Sequence, residues 1–135
     1  MILTGNISKK QLKAIDWFAQ QLFSTQLSQH LHIRVSYKKV DTYWGLTIID
    51  DYNQRGYPRH FTLEVNRSLS EHEKLMTLAH ELVHVRQYAK MELNEEMNRW
   101  HGEYVNADLI PYHEQPWEIE AYDLGDRLFK QYQKL

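Results

Sequence analysis

The chain has no cysteine, and that absence removes disulfide staples and every thiolate metal site at once. Any metal it binds must be held by histidine and carboxylate side chains. A long apolar run is also missing: nothing approaches the roughly 20 residues of a membrane span, so no membrane partner is expected. The opening Met1-Ile2-Leu3-Thr4 has neither the basic flank nor the apolar core of a secretion signal. Basic clusters are absent as well. With a net charge of −2 and a pI of about 6.4, an electrostatic nucleic-acid partner is not expected. Together these absences predict a soluble, cytoplasmic protein. No repeat, low-complexity tract or linker interrupts the 135 residues. That length predicts one domain spanning residues 1–135, large enough to bury a core but too small for two lobes around a deep cleft. Nothing in the sequence fixes the oligomeric state.

What the chain does have is His80-Glu81-Leu82-Val83-His84, an HExxH pattern. On an α-helix two His at i and i+4 sit roughly 40° apart on one face, one turn apart along the axis. Both imidazoles can then bind one Zn²⁺, with Glu81 at the edge of the same face as a general base. A random chain of this composition would carry about 0.04 such matches, so chance is a poor explanation. The flanks supply the helix that the pattern needs. Ser70 and Glu73 form an S-x-x-E capping box at its start. Leu75, Leu78, Leu82, Val85 and Ala89 recur at three and four residues, giving an apolar face away from the histidines.

The remaining elements follow from periodicity. Ser8 and Gln11 open a first helix whose stripe is Leu12, Ile15, Ala19, Leu22 and Phe23, ending near His30. Leu31, Ile33, Val35 and Tyr37 alternate with polar residues, as in a half-buried strand. Tyr43–Asp50 and Arg59–Val65 read as two further strands, with Asn53-Gln54-Arg55-Gly56 as a turn between them. Their closeness in sequence predicts an antiparallel meander. The third strand is a candidate sheet edge for pairing an extended substrate backbone. Met91–Gln115 reads as irregular with one short hairpin. Pro116 opens a last helix at its first position, with Trp117, Ala121, Leu124, Leu128, Tyr132 and Leu135 as its stripe.

Zinc in a catalytic site takes three protein ligands and leaves one position open. The last helix offers Glu118 and Glu120, roughly 200° apart, so only one can face the metal. Glu118 shares its side with Tyr122, Gly125 and Phe129, while Glu120 shares its side with Asp123, Arg127 and Gln131, a solvated composition. The helical wheel selects Glu118. Ala121 and Gly125 are small enough to let a second helix approach closely.

HELVH followed 34 positions later (118 − 84) by Glu118-Ile119-Glu120-Ala121 resembles the zincin metallopeptidases of the gluzincin type, in which a second helix carries a ligand Glu, often as E-x-x-A. The short chain, with a helix and small sheet ahead of the HExxH helix, is similar to the minigluzincins and to small phage and bacterial peptidases. The resemblance implies an α+β minimal zincin fold: an N-terminal helix, a small, mostly antiparallel three-stranded sheet, the HExxH helix and a C-terminal glutamate helix. It implies one Zn²⁺ per chain on His80, His84 and Glu118, with Glu81 as general base, acting on a protein or peptide substrate. Tyr112 and His113 are candidate oxyanion donors, because related zincins place Tyr or His just before the ligand helix. A second resemblance competes. SprT-like proteases, which act on DNA-bound proteins, also carry HExxH but take a downstream His as third ligand, often in a His-Gly pair, and His101-Gly102 is similar to that. A zinc site that only holds two helices together is the non-catalytic alternative.

Overall fold

The computed structural model describes residues 1–135. Strand β1 (Ile2–Gly5) leads into helix α1 (Lys9–Leu22), a short helix α2 (Thr25–Ser28), and strands β2 (His32–Lys38), β3 (Gly45–Tyr52) and β4 (Pro58–Asn66). Helix α3 (Glu71–Ala89) carries the HExxH pattern. A two-stranded hairpin, β5 (Arg99–Trp100) and β6 (Glu103–Tyr104), and two 3₁₀ turns precede helix α4 (Pro116–Gln133). The α+β class, with an N-terminal helix, a small sheet, the HExxH helix and a C-terminal helix bearing Glu118, is the arrangement expected from the sequence.

The sheet is not the expected antiparallel meander. It has four strands in the order β1-β2-β4-β3; β1 with β2 and β2 with β4 are parallel, and only β3 with β4 is antiparallel. Burial explains the order. Phe61 through Val65 of β4 are buried on both faces, which suits a central strand. β3 ends in Asp50, Asp51 and Tyr52, all more polar or exposed, and takes the edge. β4 is therefore internal, and of the two edge strands, β1 and β3, it is β3 that lies beside helix α3. The unforeseen β1 is short and mostly exposed, so its alternation is too brief to register as a pattern.

Helix α1 stops at Leu22 instead of running to His30. Phe23 turns to an extended conformation, and Ser24 accepts from the Leu27 N–H at 3.1 Å to start α2. The buried face of α1 is also rotated from the expected stripe. Gln11, Ala14, Ile15, Phe18, Ala19 and Leu22 are buried, while Leu12 is exposed. Gln11 takes the inward place because its side chain closes the Ser8 capping box and donates to Glu71 Oε1 at 3.0 Å. Leu135 lies beyond α4 and is exposed rather than part of its core stripe.

One buried cluster joins α1, the inner face of the sheet, α3 and α4, with Trp117, Phe18 and Phe61 among its largest members. The approach of α4 to α3 depends on Gly125, where a Cβ would lie 3.0 Å from His80 Cα and 3.1 Å from His80 N. Gly125→Ala should gain about 1 kcal/mol of helix propensity yet lose about 1–3 kcal/mol to overpacking, because a helix backbone cannot yield. The expected net result in thermal denaturation is a lower melting temperature.

Candidate metal centre

Helix α3 starts where the sequence places it. Ser70 Oγ accepts from the Glu73 N–H at 3.1 Å, and Glu73 Oε1 accepts from the Ser70 N–H at 2.9 Å. Leu78, Leu82 and Val85 enter the core, so the opposite face of α3 points into a cleft of about 920 Å³. His80, Glu81 and His84 bring their ligand atoms within 4.8 Å of one another there. The cleft walls come from β3, α3 and α4, with Trp44, Leu46, Met76, Met97 and Tyr122 as apolar lining.

Glu118 projects from the first turn of α4 into this cluster. Its Oε1 lies 3.1 Å from His80 Nε2, 3.2 Å from His84 Nε2 and 2.9 Å from the Tyr112 hydroxyl, which donates to it. Two imidazole nitrogens and a carboxylate oxygen thus converge on one point from two helices. A buried carboxylate, the buried imidazole of His84 and the half-buried one of His80 form a donor set that suits Zn²⁺. His84 Nδ1 donates to Gln87 Oε1 at 2.8 Å, which leaves Nε2 as the ligand atom. Gln87 is completely buried, and its Nε2 donates to the Trp117 carbonyl at 3.0 Å and to Glu120 Oε1 at 3.1 Å. One side chain therefore fixes the tautomer of His84 and ties α3 to α4. Gln87 escaped the sequence reading, although its place three residues after His84 on the same helix was a usable signal.

Glu81 is 5% exposed and held from the sheet. Thr47 Oγ1 donates to its Oε1 at 2.8 Å, and Oε2 stands free, 3.9 Å from His80 Nε2. Gly45 makes this approach possible, because a Cβ there would lie 2.5 Å from Thr77 Cγ2 and 3.0 Å from Glu81 Cγ. Neither Thr47 nor Gly45 carries a motif, and only the folded edge strand reveals them.

The other site candidates separate. Tyr112 lines the cleft. Burial, a hydrogen bond with Tyr122 and the Glu118 charge all raise its pKa, so its hydroxyl remains a donor. His113 packs its ring against Tyr112 and Tyr122, at centroid distances of 5.1 and 5.9 Å, and does not line the cleft. His101 sits with Glu92 and Glu120 in a second group, apart from the cleft lining. Glu120 is not the solvated residue its wheel neighbours implied. It is half-buried and engaged by Gln87.

No family model matches the chain, and no curated protein or solved structure matches it either. The site must be read from its own geometry. That geometry is consistent with a zincin-type HExxH metal site: His80, Glu81 and His84 clustered on one helix, with Glu118 nearby on the next.

The metal-free electrostatics carry a pH consequence. Burial alone would lower the pKa of His84, but the Glu118 hydrogen bond and the Glu81 and Glu118 charges reverse this and raise it from 6.5 to about 9. Burial pushes Glu118 up, yet the His80 and His84 hydrogen bonds hold it well below the usual carboxylate range. The two shifts are one interaction seen from both sides. Because the folded value of His84 lies above its ordinary one, charged His84 stabilises the metal-free fold fully below pH 6.5, and that contribution is lost as pH rises through 9. Zinc requires the neutral ring, so its affinity runs the other way. It should rise about tenfold per pH unit across this window if one proton is displaced, which calorimetry in buffers of different ionisation enthalpy will register.

Proposed function

We propose that this protein is a zinc metallopeptidase of the gluzincin type, with His80, His84 and Glu118 as ligands and Glu81 as general base. The observation that carries the reading is the meeting of His80 Nε2, His84 Nε2 and Glu118 Oε1 within 3.2 Å contacts beside a carboxylate whose second oxygen is free. A bound zinc supplies Lewis acidity, polarising water and a substrate carbonyl. The chain's own residues supply the rest. Thr47 occupies Glu81 Oε1, so Oε2 is the oxygen that takes the proton of the attacking water and returns it to the leaving amine. Tyr112 is the donor for the developing oxyanion and otherwise orients Glu118.

The substrate class follows from the cleft. β3 is the sheet edge, and Gly45–Thr47 line the cleft, so unpaired backbone groups face whatever occupies it. An extended peptide can add to that edge as a further strand, with its side chains against Trp44, Leu46 and Met97. A purely structural zinc has no need of a base held by Thr47 or of an open cleft. Digestion of a proteome-derived peptide library by the zinc-loaded protein tests the reading. New peptide termini that vanish on chelation and return with zinc are expected; an intact library, with zinc bound by His80, His84 and Glu118, would favour the structural-zinc alternative.

A further inference from the structure

His101, Glu92 and Glu120 form a second group of metal-type donors, one from the hairpin tip, one from the segment after α3 and one from α4. One ligand atom from each lies within 4.8 Å of the others, yet no hydrogen bond or ion pair joins their side chains. Donor atoms gathered without contacting one another leave a space between them. The backbone holds two of the three segments together independently, since the His101 N–H donates to the Glu92 carbonyl at 2.8 Å.

The carboxylate of Glu92 provides the second observation. Its Oε1 is wholly buried and has no hydrogen-bond partner, while Oε2 has only Lys90 Nζ, at 3.7 Å. A buried carboxylate oxygen left unpaired is costly, and a cation is the partner that removes the cost. Glu120 is half satisfied in the same way: Gln87 Nε2 donates to its Oε1, which leaves the other oxygen.

We propose that Glu92, His101 and Glu120 bind a second divalent cation of the zinc or manganese type. The imidazole suits zinc and the two carboxylates suit either ion, and the exposure of His101 leaves coordination positions for water. The ion pins the β5–β6 hairpin to α4 two residues from Glu118. Through Gln87, which contacts both Glu120 and His84, it also braces the first site.

Zinc alone is the probe. Wild type, His101→Ala, Glu92→Gln, Glu118→Ala and the Glu118→Ala/His101→Ala double variant are saturated with zinc, and bound metal is counted by mass spectrometry. Two ions per chain are expected for wild type, one for each single variant and none for the double variant. Zinc should also raise the melting temperature of Glu118→Ala, and adding His101→Ala should abolish that rise, a readout independent of catalysis. One ion in both wild type and His101→Ala would overturn the second site, as would two ions retained in both His101→Ala and Glu92→Gln. Failure of the first site looks different: Glu118→Ala would then keep the wild-type number of ions while His101→Ala still loses one.

Discussion

Glu81→Gln should abolish peptide hydrolysis while leaving zinc at the first site. The amide keeps the shape of the side chain and can still accept from Thr47 through its oxygen, but it cannot take up a proton. Loss of general-base catalysis commonly costs about 10²–10⁴-fold, so kcat should fall by at least that order. KM should change little, because Glu81, although it lines the cleft, is 5% exposed and is not one of the apolar side chains that would hold a peptide. Thr47→Val should lower kcat in the same direction but less, since it frees Glu81 Oε1 without removing the base, and Thr47→Ser should restore it. Steady-state kinetics on one library-derived peptide separates these effects. Activity of Glu81→Gln within about threefold of wild type would remove the general-base role.

The second large effect is expected at Glu118. Glu118→Ala removes one of three ligand atoms and leaves His80 and His84 facing an emptied position on α4. Zinc affinity at this site should fall severely, and the zinc-dependent rise in melting temperature contributed by it should disappear, because metal that binds only the folded chain adds directly to stability. The metal-free protein should respond in the opposite sense at high pH. Its His84 loses the partner that raises its pKa, so the ring neutralises nearer its ordinary value. His113→Ala should leave zinc binding unchanged, since that ring packs against Tyr112 and Tyr122 and does not line the cleft. Competition with a chromophoric chelator gives each affinity, and retention of wild-type affinity by Glu118→Ala would reassign the third ligand.

Helix α3 and the turning of Glu118 toward its histidines were readable in the sequence because both rest on short-range periodicity. A capping box, a heptad-like stripe and an i, i+4 pair all lie within one element, and the wheel argument for Glu118 needs only α4 itself. The sheet order was not readable. Whether β4 pairs with β3 alone or slips between β2 and β3 depends on which strand is buried on both faces, and that is decided by α1, α3 and α4 packing against it. The mistaken view of Glu120 has the same origin. Asp123, Arg127 and Gln131 correctly describe the side it occupies, but Gln87 and the β5–β6 hairpin come from elsewhere in the chain to cover its helix end. Thr47 and Gly45 are the extreme case, since a threonine and a glycine on an edge strand carry no signal until α3 lies against them.

Anomalous diffraction at the zinc edge from crystals grown with zinc tests most directly whether the two helices share a metal. The expected result is a peak in the cleft within coordinating distance of His80 Nε2, His84 Nε2 and Glu118 Oε1, with one position open toward β3. A cleft with no peak between those three atoms, in crystals whose zinc lies elsewhere, would contradict it.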